Sequence, residues 1–157
     1  MVWIWPTTDD LRLAHILADD ADSLTMSRFG ARDLTVSTKP DHSEVTDADL
    51  AVEDSVRRTL SRMRSRDAVH GEERADTGDG PRRWIIDPID GTANFLRGVP
   101  VWATLIALSV EDQIVASVVS APALKRRWWA ARGSAAWSGK SQASATPLHD
   151  ENLRNLA

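Results

Sequence analysis

Two aspartates, Asp87 and Asp90, follow directly on an apolar run and are the side chains of this sequence best suited to chemistry. Residues 84–86 are expected to form a buried strand, and Pro88 is expected to make the chain turn where that strand ends. Two carboxylates at the end of a buried strand repel each other unless something positive neutralises them. At neutral pH the usual neutraliser is a hard cation with oxygen ligands. The alternative is a hydrogen-bonded turn with Asp90 and Gly91 at its corner.

Two further acidic segments lie upstream, and each has an ordinary interpretation. Asp49 follows Thr46 by three residues, so it would by itself complete a capping box at the start of a helix. Glu72 and Glu73 follow a glycine, and taken alone they are ordinary solvated loop charges. If the fold brings these segments to the end of the strand at Asp87, the result is a site rich in carboxylates.

The elements that must position these acids are predicted to be two helices and several strands. Thr7 or Thr8 is expected to cap the first helix, and Gly30 to end it. Thr46 is expected to open the second helix. Helical spacing predicts one buried stripe on each helix: Leu13, Leu17, Ala21 and Leu24 on the first, and Val52, Val56, Leu60 and Met63 on the second.

The strands are predicted from alternation and from the turn signals between them. Residues 34–38 indicate a short strand, and residues 102–110 and 114–121 indicate an antiparallel hairpin that turns at residues 111–113. Residues 74–83 are expected to be a loop. Adjacent Trp128 and Trp129 should point to opposite faces of a strand, one into the core and one outwards. Together these elements predict an α+β fold with two helices packed on a mostly antiparallel sheet.

Composition narrows the function classes. The chain has 157 residues, 42% of them hydrophobic, which is enough for one domain with a real core. It has no cysteine, so disulfides and thiolate zinc sites are excluded. The apolar runs are too short for a membrane span and no signal peptide is evident, so a cytoplasmic protein is expected. A net charge of −4 without a known binding signature argues against nucleic-acid binding.

Three motifs in a fixed order carry a family resemblance. They are V-T-D-A-D at 45–49, G-E-E at 71–73 and W-I-I-D-P-I-D-G-T-A-N-F at 84–95. Together they resemble the inositol monophosphatase family, magnesium-dependent phosphatases that act on small phosphate monoesters. The resemblance covers most of residues 8–140. The segment 121–133, with its Arg-Arg-Trp-Trp-Ala sequence, is most similar to the histidinol-phosphatase branch of actinobacterial type.

The resemblance implies a set of metal ligands. Glu72, Asp87 and the main-chain carbonyl of Ile89 would hold a first Mg²⁺ ion. Asp87 would bridge to a second ion, which Asp90 and an aspartate from a later domain would complete. Carboxylates, a carbonyl and water are the oxygen ligands that magnesium prefers. No histidine is needed, and the four histidines show no metal-ligand spacing.

The resemblance also implies catalytic and substrate-binding roles. Thr92, hydrogen-bonded towards Asp49, would position the attacking water together with Glu72. Asp49 would also serve a weaker third-ion or water site. The amides of Gly91 and Thr92 would bind a phosphate oxygen at the start of a helical turn. Lys39 matches a family lysine near the site, although a solvated surface lysine is the alternative.

One rival family ends a strand in a similar aspartate-rich loop. Haloacid-dehalogenase-type phosphatases carry D-x-D-G-T, in which the first aspartate is a covalent nucleophile. The spacing here is one residue longer, with Pro88 inside it, and the rival lacks an upstream Gly-Glu-Glu.

The resemblance implies a second domain that the sequence does not show. Family members continue into an α/β domain with a tryptophan-aspartate motif, and none of the seven tryptophans here is followed by aspartate. We therefore expect residues 1–145 to form the metal-binding first domain of the sugar-phosphatase fold, and residues 146–157 to be a linker or the start of the second domain.

The expected function is magnesium-dependent hydrolysis of a small phosphorylated metabolite, with histidinol phosphate as the substrate. An inositol-phosphate phosphatase of the same family is one alternative. A catalytically incomplete, non-enzymatic fragment is another. The expected protein partners are a second copy, giving a homodimer, or a chain that carries the missing second domain. An exposed sheet surface that the second domain would cover is the reason for expecting such association.

Overall fold

The computed structural model describes residues 8–148 and contains two long helices, a β-hairpin and a large sheet. The helical elements are α1 (Thr8–Arg28), α2 (Asp47–Met63) and the short α3 (Thr92–Leu96), with 3₁₀ turns at Pro122–Leu124 and Gln142–Ser144. The strands are β1 (Val36–Thr38), β2 (Glu44–Thr46), β3 (Ala68–Gly71), β4 (Arg82–Asp90), β5 (Ala103–Val110), β6 (Gln113–Ala121), β7 (Arg126–Ala131), β8 (Ala136–Gly139) and β9 (Thr146–Pro147).

The large sheet has seven strands in the order β3-β4-β5-β6-β7-β8-β9. Strands β3 and β4 run parallel, and the other neighbours in this sheet are antiparallel. Strands β1 and β2 form a separate antiparallel hairpin that leads into α2. Because α1 and α2 pack together on one face of the sheet, the predicted α+β fold is confirmed.

The two long helices largely follow their predicted stripes. Leu17 and Ala21 are buried on α1, and Gly30, with a φ of +77°, lies just beyond the end of that helix. The predicted burial of Met63 is wrong, because its exposed fraction is 55%. Leu60 is the last buried residue of α2, so the final turn of the helix projects past the core. Thr8 begins α1, and Thr7 lies outside the described residues.

The main core fills the space between the helices and one face of the sheet. Trp84 and Trp129 are its large aromatic side chains, packed with aliphatic residues of both helices and strands β4 to β6. Trp128 is half-buried on the opposite face, so the predicted division between the two tryptophans is confirmed. A smaller cluster, formed by Ala48, Ile89, Phe95 and Trp102, packs where α2, β4 and α3 meet.

The face of the sheet that points away from the helices is only partly covered. This open face carries Ile85, Leu105, Ala107 and Val119, which are half-buried and lie beside one another in the strand register. A cavity of about 450 Å³ lies along these residues, with Asp87 also in its lining. The expectation of a fully buried strand at residues 84–86 therefore holds on one face only. Within residues 8–148, no helix is long and apolar enough to cross a membrane.

The predicted hairpin between β5 and β6 is confirmed and is tighter than expected. Glu111 and Asp112 have φ values of +50° and +62°, so the turn itself is two residues long and Gln113 already belongs to β6. Positive φ at both central residues is typical of a type I′ turn, whose twist matches that of the flanking strands.

A polar cluster within the fold joins α1 to strands β6 and β7. Arg127 donates to Asp22 Oδ2 at 2.7 Å and to Ser120 Oγ at 3.1 Å. Its Nη1 lies 3.3 Å from Nδ1 of His15, which also packs edge-on against Trp129. Burial, followed by the charge of Arg127, lowers the pKa of His15 to about 4. His15 is therefore a neutral packing residue in the folded chain.

The His15 environment predicts a loss of stability in mild acid. Because its folded pKa of about 4 is below its unfolded value, the unfolded chain binds more protons at pH 4–6.5, and the free energy of unfolding falls as the pH drops through that range. Between pH 7 and 4.5, we expect the wild type to lose about 2 kcal/mol more than His15→Gln, measured by urea unfolding.

Exposed His42 offers a matched control for this experiment. We expect His42→Asn to keep the full wild-type acid sensitivity. Equal pH dependence in the wild type and His15→Gln would contradict a neutral, buried His15.

Candidate functional site

Strand β4 continues past Pro88 instead of turning there, so the predicted turn is wrong. Asp87 pairs with Leu105 and Asp90 pairs with Ala103, which leaves one extra residue in β4 between the two pairs. Such a bulge accommodates a proline, which has no N–H to donate to the ladder. Thr104 Oγ1 donates to the Pro88 carbonyl at 2.8 Å and fixes the bulged segment on β5. The alternative of a simple turn is also excluded, because both aspartates belong to the strand.

The parallel pairing of β3 with β4 brings Glu72 beside Asp87. Glu72 directly follows β3, and its N–H donates to the Ile86 carbonyl at 3.2 Å, which extends the pairing by one residue. The carboxyl ends of parallel strands lie at the same edge of a sheet. Glu72 and Asp87 also line the same end of the cavity on the open face.

Asp87 carries a carboxyl group that the surrounding protein does not neutralise. Burial, and then the neighbouring acids Glu72, Asp90 and Asp49, raise the pKa of Asp87 to about 8. Its Oδ1 atom is buried and has no hydrogen-bond partner among the described residues. A buried oxygen of this kind is costly unless a proton or a cation compensates it.

Lys39 is the cation that the structure places next to these acids. Its Nζ lies 3.0 Å from Glu72 Oε1 and 3.0 Å from Glu73 Oε1. Burial raises the pKa of Glu72, but the hydrogen bonds with Asp87 and Lys39 outweigh it and leave that pKa lowered. The Lys39 side chain is 21% exposed, so it is not a freely solvated surface lysine. Lys39 directly follows β1, and this position brings its amine to the two glutamates.

Asp49 completes the capping box of α2 and also lies beside Thr92. Its Oδ2 accepts the Thr46 N–H at 2.8 Å, and Thr46 Oγ1 accepts the Asp49 N–H at 3.3 Å, so the capping box of α2 is complete. Its Oδ1 lies 3.2 Å from Thr92 Oγ1, which is also 3.0 Å from the Ile89 carbonyl. Burial raises the pKa of Asp49, and the hydrogen bonds from Thr46 and Thr92 oppose that rise.

Gly91 allows the chain to leave β4 and enter α3 directly. Its φ is +94°, and a Cβ atom there would lie 3.1 Å from the Val101 carbonyl oxygen. Both the backbone conformation and the close approach therefore require glycine. Its carbonyl accepts the N–H of Phe95, which anchors α3 in the smaller cluster. Thr92 is consequently the first residue of a fixed helical turn.

The donor set fits a magnesium ion in chemistry, although it does not form a closed cage. Asp49, Glu72, Asp87 and Asp90 supply only carboxylate oxygens, and the raised pKa of Asp87 shows that their charges act on one another. In residues 8–148, no group of three or more histidine, aspartate or glutamate side chains is arranged to hold a metal ion as it stands. Lys39, bound to Glu72, occupies part of this donor set.

Sequence reasoning missed one acidic residue that supports the site. Glu53 on α2 is fully buried and accepts hydrogen bonds from the backbone that follows Glu72. A signal was available, because Glu53 is three residues before Val56 and seven before Leu60 and so falls on the buried stripe. An acid on such a stripe needs a specific partner.

Comparisons with known proteins agree with this geometry. The family model for the inositol monophosphatase family matches residues 9–156. A histidinol-phosphatase of Streptomyces coelicolor is 58% identical over 153 residues, which cover 95% of this chain and 58% of that protein. A histidinol-phosphatase of Mycobacterium tuberculosis is 55% identical over 154 residues, covering 92% of this chain and 59% of that protein. The extragenic suppressor protein suhB of Bartonella henselae superposes with a TM-score of 0.81 at 32% identity, covering 84% of this chain and 52% of that one.

The α+β fold and the carboxylates at the end of β4 define the first domain of a sugar-phosphatase-type protein. The chain belongs to the inositol monophosphatase family. The resemblance predicted from the three motifs is thus confirmed, and the haloacid-dehalogenase alternative is excluded. The similarity to histidinol-phosphatases agrees with the branch predicted from residues 121–133. The chain spans 58% and 59% of the length of these two relatives. The division at residue 145 stays a prediction, and β9 ends at Pro147.

The charge state of Asp87 predicts an unusual effect of its neutralisation. In EDTA, we expect Asp87→Asn to unfold about 2–4 °C higher than the wild type at neutral pH. The folded wild type must take up a proton at Asp87 or bear the repulsion of Glu72, whereas an amide is neutral and can donate to Glu72. Thermal unfolding followed by circular dichroism measures the shift.

Asp112→Asn in the distant β5–β6 turn removes the same charge and is the matched control. We expect it to leave the unfolding temperature unchanged. A lower unfolding temperature for Asp87→Asn would show that the Asp87 carboxylate is stabilising without a cation.

Proposed function

We propose that this chain carries the metal-binding half of a magnesium-dependent phosphatase that hydrolyses a small phosphate monoester. The observation that supports the proposal most directly is Asp87: a half-buried carboxyl group, one oxygen of which is buried without a partner among the described residues, placed beside Glu72 at the end of β4. Structural ion pairs are arranged so that opposite charges meet. Here like charges meet, which is typical of a site that binds a cation or a proton.

The residues proposed to hold magnesium are Glu72, Asp87, Asp90 and the carbonyl of Ile89. When bound, the metal would neutralise phosphate charge and lower the pKa of the attacking water. Lys39 would have to yield its contact with Glu72, or share it, when the ion enters. Its second contact, with Glu73, keeps the amine close to the site.

Thr92 is proposed to orient the attacking water. Its single hydroxyl proton is directed towards Asp49 and the Ile89 carbonyl, which are both acceptors. The oxygen lone pairs of Thr92 are thereby left to accept a hydrogen bond from water, and this orients the water's own lone pair. The amides of Gly91 and Thr92 are proposed to bind a phosphate oxygen, a role that remains a prediction.

Histidinol phosphate is the substrate that we propose, which would place the reaction in cytoplasmic histidine biosynthesis. The support is the similarity of the chain to two histidinol-phosphatases. An inositol phosphate is the alternative substrate within the same family. Nothing in the described site favours one alcohol over the other, because the residues brought together here are those proposed to bind the phosphate and the metal.

A catalytically incomplete unit is the second candidate function, and two observations favour it. No group of three acids within residues 8–148 is arranged around a metal, and the apolar open face adjoins the site. Under this proposal, residues beyond the described domain, in this chain or in another, complete the pocket.

Phosphate release with and without magnesium separates the two functions. We expect the chain to release phosphate from histidinol phosphate only when Mg²⁺ is present, and to be inhibited by EDTA. Asp90→Asn should lower the rate by at least about 100-fold, since loss of a metal ligand costs more than loss of its supporting partners. Asp112→Asn should have the wild-type rate.

Inositol 1-phosphate, assayed in parallel, decides the substrate. A higher kcat/KM for inositol 1-phosphate would replace the proposed substrate. No release from either compound, despite measurable Mg²⁺ binding, would instead support the catalytically incomplete unit.

A further inference from the structure

Glu53 lies on α2, directly beneath the segment that carries Glu72, and its exposed fraction is 0%. We propose that Glu53 is a positioning residue that sets where the Glu72 carboxylate lies and thereby sets the affinity of the site for a divalent cation. The inference rests on the proposed function, because it concerns the same metal site. Glu53 itself would touch neither the metal nor the substrate.

Both oxygens of Glu53 bind the backbone immediately after Glu72. Oε2 accepts the Glu73 N–H at 2.7 Å, and Oε1 accepts the Arg74 N–H at 3.1 Å. On the other side, the N–H of Glu72 donates to the Ile86 carbonyl at 3.2 Å. The backbone at Glu72 is therefore fixed on one side by β4 and on the other by α2, and this sets the point from which its side chain reaches the site.

Gly71 shows how closely the chain passes over this carboxylate. A Cβ atom on Gly71 would lie 2.0 Å from Glu53 Oε1. The backbone conformation does not demand glycine there, because Gly71 has no positive φ. Glycine is therefore needed at position 71 for lack of space, because the Glu53 carboxylate occupies the place of a Cβ atom.

Arg57 neutralises Glu53 and also binds Thr77, in the loop that follows Glu73 and Arg74. Its Nε donates to Glu53 Oε1 at 2.9 Å, and its Nη1 donates to Thr77 Oγ1 at 3.0 Å. A buried ion pair is weak evidence of stabilisation, since well-packed apolar residues often do as well. An apolar residue could not bind the two successive N–H groups that the Glu53 carboxylate binds with one oxygen each, so position explains this pair better than stability does.

Binding of Mn²⁺, followed by electron paramagnetic resonance, tests the inference without relying on activity. In Glu53→Gln, the side-chain NH₂ must face an N–H group or Arg57, so one anchor is lost. We expect the Mn²⁺ dissociation constant to rise at least about tenfold, as for other residues that support metal ligands. Val56→Ala removes buried volume in the main core from the same helix, and should leave the dissociation constant unchanged.

Amide hydrogen exchange in the metal-free chain gives a second measurement. We expect the amides of Glu73 and Arg74 to exchange faster in Glu53→Gln than in Val56→Ala. If Glu53→Gln does not fold, Glu53→Asp replaces it, because the shorter side chain keeps the charge and cannot reach both amides. The same weakening of Mn²⁺ binding is expected.

The outcomes separate this inference from the proposed function. Wild-type Mn²⁺ affinity in the Glu53 variants would overturn the positioning role and leave the proposed function intact. Equal weakening in Val56→Ala would also overturn it, by showing that general destabilisation is sufficient. Absence of Mn²⁺ and Mg²⁺ binding in the wild type would overturn the proposed function and this inference together.

Discussion

Repulsion between carboxylates at the end of β4 is the constraint on which the rest of this domain depends. Asp87 is half-buried beside Glu72, and its burial, followed by the neighbouring acids Glu72, Asp90 and Asp49, raises its pKa to about 8. Left to themselves, such groups would separate and become solvated. They stay together because each is attached to an element that the core fixes independently: β3, β4 and α2.

The attachments are backbone contacts more than side-chain ion pairs. Glu72 is held through its own N–H and through the amides that follow it, and Asp49 is held through the cap of α2. Thr104 fixes the Pro88 carbonyl and with it the bulge that separates Asp87 from Asp90. In the described part of the chain, Lys39 brings opposite charge to the group from a hairpin outside the main sheet. The backbone that carries the acids is thus fixed, while their neutralisation is incomplete.

Much of this arrangement could be predicted from the sequence, because it depends on local patterns. Helical spacing located both long helices, and the motifs at 45–49, 71–73 and 84–95 identified the acids that the fold brings together. The course of β4 could not be predicted from Pro88 alone, since whether a proline turns a chain or makes a bulge depends on the partner strand. The exposure of Met63 depends on where the core ends, which spacing does not encode. The place of Glu53 on the buried stripe signals its burial, but the main-chain amides that it binds leave no trace in residue types.

The double attachment of Asp49 has a consequence for how this domain can evolve. One carboxyl oxygen closes the first turn of α2, and the other meets the hydroxyl of Thr92. Any substitution at this position changes helix stability and site geometry at once, so selection cannot adjust one without the other. A substitution of Asp49 that is neutral for folding is therefore not expected. A descendant sequence that loses the site at this position must also cap the start of α2 with a different residue.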